Sequence, residues 1–287
     1  MLQKPKKIIA IHDLSGFGRC ALTVILPTIS AMGIQPVPVP TAVLSTHTGY
    51  VEDVAVRDLT DFLAPTLTHY QKLGLDFDCI YTGFLNSEEQ IGRCLDFFQA
   101  FPHAMAVVDP VMGDHGRAYR TYTPALCRGM ESLVRAADLI TPNITEAAML
   151  LHEPYPDAPL THSMAKSWLC RLAEMGPKYV VITSVSLQNG ILSNIGYDAA
   201  RNAFWRVDYD YIPVAYPGTG DIYTSVIVGG ILSGDSLPVA MDRAARFLEY
   251  AIMTTYSYGE DVRHGVMLEP CLHWLTQKQT LKSFQVL

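Results

Sequence analysis

Short apolar runs, each stopping at a polar or glycine-bearing turn and each followed by a stretch of helical length, constrain this chain more than any other feature. Lys7-Ile8-Ile9-Ala10-Ile11 leads into His12-Asp13-Leu14-Ser15-Gly16-Phe17-Gly18-Arg19, and the apolar segment 21–32 follows. Strand, glycine-bearing turn and helix open a doubly wound sheet. Cys79-Ile80-Tyr81-Thr82 ends at Gly83-Phe84, and Ser87-Glu88-Glu89-Gln90 then starts a helix with a capping-box-like pattern. Ala104-Met105-Ala106-Val107-Val108, Asp138-Leu139-Ile140 and Tyr179-Val180-Val181-Ile182 repeat the rhythm, with helices over 58–75, 162–175 and 238–258. The expected fold is therefore α/β with a mainly parallel sheet, whose ligands sit at the carboxyl ends of the strands. Two segments break the pattern. Pro36-Val37-Pro38-Val39-Pro40 is an edge strand or one whose prolines alternate outward, because proline donates no ladder hydrogen bond. Residues 190–197 and 203–207 alternate apolar and polar around a turn, which predicts a late antiparallel hairpin.

At 287 residues the chain accommodates one large domain, and nothing in it marks a linker, so residues 1–287 are read as a single unit. A formal net charge of −7 without a long Lys/Arg run argues against nucleic acid as the main partner. No apolar run reaches spanning length and no signal-peptide pattern opens the chain, so a cytoplasmic location is expected. The six cysteines are scattered without a CxxC pair, as in reduced, mostly buried thiols. Gly16-Phe17-Gly18 lacks the third glycine of a dinucleotide fingerprint, which excludes a nicotinamide site.

The chemistry concentrates at the strand ends. Gly218-Thr219-Gly220-Asp221 precedes a buried helix, and glycines at a helix start let backbone N–H groups approach an anion. Asp221 repels a phosphate there, so its role is either that of an ordinary first-turn acid or that of a general base beside an anion cradle. Asp109-Pro110-Val111-Met112-Gly113-Asp114 carries two acids suited to metal work, although Asp-Pro also starts turns. The polar segment 115–123 has the length and composition of a mobile lid. Asn143 and Glu146 share a helix face; they form a capping pair, or Glu146 holds a water-coordinated Mg²⁺. Thr183 and Ser184 place hydroxyls at another strand end. Ser45-Thr46-His47-Thr48-Gly49-Tyr50 is a substrate loop or a turn rich in local hydrogen bonds. The tail from Gly259 carries no signal beyond a short amphipathic piece at Trp274-Leu275.

Taken in order, Asp109 to Asp114, Thr141-Pro142-Asn143 with Glu146, Val181-Ile182-Thr183-Ser184 and Gly218-Thr219-Gly220-Asp221 resemble the ribokinase-like superfamily, and the segment 45–50 with Gly113-Asp114 resembles its pyridoxal kinases. The resemblance spans about residues 8–258 and implies a three-layer α/β/α ribokinase-like fold, transfer of the ATP γ-phosphate to the hydroxymethyl group of a vitamin B6 vitamer, and a homodimer. It implies Asp221 as base, with the amides of Gly218, Thr219 and Gly220 holding developing charge. Asp114 and Glu146 then serve Mg²⁺. Asp109 and Thr141 lie near a monovalent cation such as K⁺ and the phosphates. Asn143, Thr183, Ser184 and Thr219 meet the nucleotide, and Asp13, Ser45, His47, Thr48 and Phe84 line the substrate pocket. Two positions depart from the pyridoxal kinase pattern. Asp13 replaces a serine, and His12-Asp13-Leu14-Ser15-Gly16 resembles hydroxymethylpyrimidine kinases; an acid here can pair with a protonated ring nitrogen or amine. Phe84 replaces a tyrosine, so ring stacking persists without a hydroxyl. The competing readings are a kinase for hydroxymethylpyrimidine or another small alcohol, and a non-catalytic ligand sensor on this scaffold.

Overall fold

Alternate residues of the first strand, β1 (Lys7–Phe17), are buried on opposite sides of the sheet: Ile9 and Ile11 join one core, Ile8 and Ala10 the other. A strand buried on both faces requires helices on both. The computed structural model, which describes residues 4–50, 53–119, 122–188, 191–210, 212–277 and 279–287, meets that requirement. After β1 the chain runs through α1 (Leu22–Ala31), β2 (Gln35–Thr46), β3 (Val56–Asp58), α2 (Thr60–Lys72), β4 (Cys79–Thr82), α3 (Glu88–Ala100) and β5 (Met105–Val108). A small separate hairpin, β6 (Gly113–Asp114) and β7 (Arg117–Ala118), precedes α4 (Pro124–Ala136), β8 (Leu139–Ile140), α5 (Ile144–Leu151) and α6 (His162–Glu174). The last part comprises β9 (Tyr179–Leu187), β10 (Ile191–Asp198), β11 (Ala203–Tyr209), α7 (Thr219–Leu232), α8 (Leu237–Ser257) and β12 (Phe284–Val286).

The main sheet has the order β12-β11-β10-β9-β8-β5-β4-β1-β2-β3. Strands from β2 to β9 across its middle pair in parallel, whereas β3, β10, β11 and β12 pair antiparallel at the two sides. One face is covered by α2 to α6, the other by α1, α7 and α8. The three-layer α/β/α architecture, the parallel centre and the late antiparallel hairpin are as expected, although Gly190 at the hairpin's predicted start lies outside the described residues.

The proline-rich strand is an inner strand that behaves as an edge. Pro36, Pro38 and Pro40 pair in register with β1, while β3 covers only Ala42 to Leu44 on the other side. Prolines at every second position can therefore turn their missing donors toward the open side. Two expectations need correction. The segment 12–17 is not a turn: β1 continues through it, with a bulge between His12 and Leu14, and the chain turns only at Gly18, where φ is +96°. Nor is the tail silent. Val266, Leu268 and Cys271 are buried against α1, α7 and α8, and β12 extends the sheet beside β11.

Candidate active site

Because β1, β4, β5, β8 and β9 run parallel, their polar ends fall along one edge of the sheet, and α7 begins above that edge. Gly218 caps α7 in the left-handed region, φ +79°, without a side-chain cap. The first intrahelical bond is Ile222 N–H to the Gly218 carbonyl, 3.0 Å, so the first-turn amides precede the helix ladder and are available to an anion. Asp221 stands in this turn. Its Oδ2 accepts a hydrogen bond from Ala21 N–H at 2.9 Å, with Cys20 Sγ at 3.7 Å, and Oδ1 lies 4.0 Å from His12 Nδ1. Burial pushes the Asp221 carboxyl up to about 7; the Ala21 amide works against this, and nearby Asp13 adds to it. An acid so poised exchanges a proton near neutrality, as a general base must.

Two further acids are more deeply buried. Asp109, directly after β5, donates its N–H to the Thr82 carbonyl at 2.9 Å, and burial followed by the Glu146 and Asp221 charges raises its carboxyl well above the usual range. Glu146 is raised by burial too, against the pull of the Asn143, Met112 and Gly113 amides: Oε2 accepts from Asn143 N–H at 2.8 Å and Oε1 from Met112 N–H at 3.1 Å. Asn143 Oδ1 in turn accepts from Thr145 N–H and Glu146 N–H, so the capping box is complete. Capping does not exhaust the carboxylate, whose two oxygens together offer about four lone-pair sites. Among the described residues, no Lys or Arg pairs with Asp109, Glu146 or Asp221, and no group of three ligating side chains could hold a metal ion alone. Two buried acids and the half-buried Asp221 thus lie together without a Lys or Arg partner among the described residues, so each one's charge raises the proton affinity of its neighbours.

The hairpin β6–β7 stands over these acids. His115 and Gly116 both have positive φ, +50° and +73°, as a two-residue hairpin turn requires. Asn143 Nδ2 donates to the Gly113 carbonyl at 2.8 Å and Gly116 N–H to Thr145 Oγ1 at 3.0 Å, tying the hairpin to the start of α5. Asp114 is exposed and accepts from His115 N–H at 2.7 Å. Of the expected lid, Arg120 and Thr121 lie outside the described residues.

On the other side, buried Asp13 accepts from Ser15 Oγ at 3.1 Å, and burial raises its carboxyl. His47 is fully engaged by backbone: Nδ1 accepts from Gly49 N–H at 3.0 Å, which leaves Nε2–H to donate to the Arg263 carbonyl at 2.7 Å. It clamps the 45–50 segment to the tail. Ser45 Oγ accepts from Ala55 N–H at 3.0 Å, Thr48 is exposed in the turn, and the Phe84 ring lies 6.4 Å from that of Tyr122. Thr183 N–H donates to the Pro142 carbonyl. Ser184 adopts φ +58°, strained for a residue with a side chain, and Asn194 Oδ1 holds its N–H at 3.1 Å. Thr141 is buried, accepting from Thr224 Oγ1 at 2.9 Å. Sequence reasoning missed His12, Cys20, the Ala21 amide, Asn194 and Thr224. For His12 a signal existed: had β1 been extended, period-two alternation would have put it on the face of Ala10, toward α7.

The three-layer α/β/α fold, with Asp221 in the first turn of α7, and the family that this chain matches define a kinase, a phosphotransferase with an alcohol acceptor. The model of the Phosphomethylpyrimidine kinase family matches residues 25–266, and the chain belongs to that ribokinase-like family. It is similar to a crystal structure from Bacteroides thetaiotaomicron described as a phosphomethylpyrimidine kinase and determined with pyridoxal, with 43% identity, TM-score 0.94 and coverage of 99% of this chain and 100% of that one. Pyridoxal kinase from Lactobacillus plantarum is 30% identical, with TM-score 0.87 over 94% of this chain and 96% of the other. The pyridoxine/pyridoxal/pyridoxamine kinase of Bordetella avium is 25% identical over 86% of this chain and 85% of its own length.

Proposed function

We propose that this protein phosphorylates the 5′-hydroxymethyl group of a vitamin B6 vitamer, pyridoxal, pyridoxamine or pyridoxine, using ATP. The observation that carries the reading is Asp221, held by the Ala21 amide within the first turn of α7, where burial raises its carboxyl to about 7. Asp221 takes the proton of the substrate hydroxyl, the oxygen attacks the γ-phosphorus, and the bond to the ADP oxygen breaks. The amides of Gly218, Thr219 and Gly220 receive the charge that develops on the transferring group. Asn143, Thr183 and Ser184 orient the nucleotide. Asp114 on the hairpin and Glu146 beneath it are the residues that would hold Mg²⁺, Glu146 through water, and Asp109 with Thr141 would hold a monovalent cation. The uncompensated acids fit both ions, and the ions supply neutralisation of phosphate charge when bound. Asp13, Thr48 and Phe84 face the heteroaromatic ring, with Ser45 and His47 shaping the wall. The protein acts as a cytoplasmic homodimer.

Pyridoxal in the crystal structure at 43% identity supports a B6 acceptor. The family match and the acid at position 13 support hydroxymethylpyrimidine as the second reading. A panel of the three vitamers and hydroxymethylpyrimidine, each with ATP, separates them by kcat/KM. A B6 vitamer is expected to be preferred by at least about tenfold, the scale that one changed polar contact produces; preference for the pyrimidine reverses the assignment, and no transfer to any alcohol favours a ligand sensor. With the preferred acceptor, kcat/KM should rise through about pH 7 as Asp221 ionises and level off above it. A profile flat from pH 5 to 9 would remove Asp221 as the base.

A further inference from the structure

His12 is completely buried, and neither ring nitrogen makes a hydrogen bond of good geometry; the Tyr81 backbone, acting as a hydrogen-bond partner against the effect of burial, is too poorly placed to satisfy the ring. An unpaired buried polar group costs stability, so its retention asks for a reason. The ring is tightly fixed. It meets the Tyr81 ring edge-on, centroids 4.3 Å apart, and lies so close to Gly83 that a methyl group there would overlap Cε1 and Nδ1. Packed in this way, Nδ1 lies 4.0 Å from Asp221 Oδ1. Burial lowers the imidazole to about 3, so at working pH it is neutral and no ion pair forms. A neutral ring still has one N–H to donate. The other titratable groups facing Asp221 are Asp13 on β1, Cys20 in the turn after it, Tyr81 on β4 and Asp109 after β5, none of them a cation.

We propose that His12 is a positioning residue for the base: its neutral Nδ1–H closes on Asp221 Oδ1 when the acceptor alcohol binds and holds the carboxylate, opposite the Ala21 amide, in the orientation and charge state that takes the hydroxyl proton. The gap in the unliganded protein agrees with the general tightening of catalytic hydrogen bonds in the Michaelis complex. This inference rests on Asp221 as base.

The test is the pH dependence of kcat and kcat/KM for His12→Leu and His12→Asn, with saturating ATP and the best acceptor. Leucine removes the donor and keeps the bulk; asparagine Nδ2 replaces imidazole Nδ1. In His12→Leu the acidic limb should move up by about one pH unit, with turnover lost mainly below the limb and the acceptor KM little changed. His12→Asn should restore the wild-type limb. A uniform loss at every pH, an unmoved limb, or a limb equally displaced in both variants overturns the proposal. If the wild-type profile has no acidic limb, the base assignment falls with it; if the limb exists and ignores His12→Leu, only the positioning role falls. Should His12→Leu not fold, nitrogen-15 NMR of the wild-type ring decides: a neutral, Nδ1-protonated imidazole from about pH 5 to 9 is expected, and a ring titrating near its ordinary 6.5 or protonated at Nε2 overturns it.

Discussion

Asp221→Asn is expected to reduce kcat by roughly 10²–10⁴-fold, the range a positioned general base supplies, while leaving nucleotide affinity within about twofold. The amide keeps an oxygen for Ala21 N–H and the shape of the site, but cannot take the hydroxyl proton. Steady-state turnover at saturating substrates, with nucleotide binding measured separately, checks both halves; a variant with normal turnover would leave the acid a mere first-turn residue. The same substitution should stabilise the fold. Asp221 has a folded value near 7 against an ordinary 3.8, so the native state holds its proton more tightly than the unfolded chain. The stability this contributes is complete below the unfolded value and declines as pH rises toward the folded one. At pH 8 the ionised acid therefore costs on the order of a few kcal/mol, which asparagine does not incur. The Tm of Asp221→Asn should exceed that of the wild type by a few degrees at pH 8 and converge with it near pH 4. Loss of activity with gain in stability is what a functional acid held against its own preference produces.

How far the site was legible follows from how each residue acts. Asp109, Thr141, Thr183 and Asp221 are readable because parallel strands and a helix start bring their ends to one edge, and order along the chain is enough to align them. Ala21 is not readable, since it acts through a backbone N–H on a residue 200 positions away, and a main-chain donor has no letter of its own. Thr224 is hidden for a related reason: inside α7 it looks like one more buried helical residue, and only the packing of that helix over the sheet shows that it donates to Thr141. His12 was obscured by a strand boundary drawn too early. The tail illustrates the opposite limit. Residues 262–264 form a short 3₁₀ turn with no periodicity to detect, yet the Arg263 carbonyl fixes His47 and the His264 carbonyl accepts from Arg19 N–H at 2.9 Å. The core needed no such help, because runs such as Ile8 to Ile11 and Ile80 to Tyr81 bury alternate residues on both faces whichever helix arrives there.

The two glycines of the cradle should fail in different ways. Gly218 has φ +79°, and a methyl group there would collide with the Arg19 carbonyl oxygen and come within 3.0 Å of Cys20 Cα. Left-handed backbone costs a residue with a side chain about 1–2 kcal/mol, and the 19–20 backbone cannot yield as a flexible side chain does. That segment continues into Ala21, whose amide holds the base, so relief of the collision displaces Asp221. Gly218→Ala should thus lower Tm and reduce kcat by about 10²-fold or more, the penalty of a misplacement near 1 Å. Gly220 has neither restriction: nothing but Asp109 Oδ2, at 3.8 Å, lies near the added methyl, an ordinary contact. Alanine also favours helix over glycine by about 1 kcal/mol. Gly220→Ala should therefore fold as stably as the wild type or more so, while its methyl fills the space between the first-turn amides and Asp109 that the phosphoryl group must enter. A kcat lowered by at least about tenfold with Tm unchanged or raised is the expected signature. Normal turnover in Gly220→Ala would mean that the phosphoryl group passes elsewhere, and the cradle would have to be redrawn even if Asp221 survived as the base.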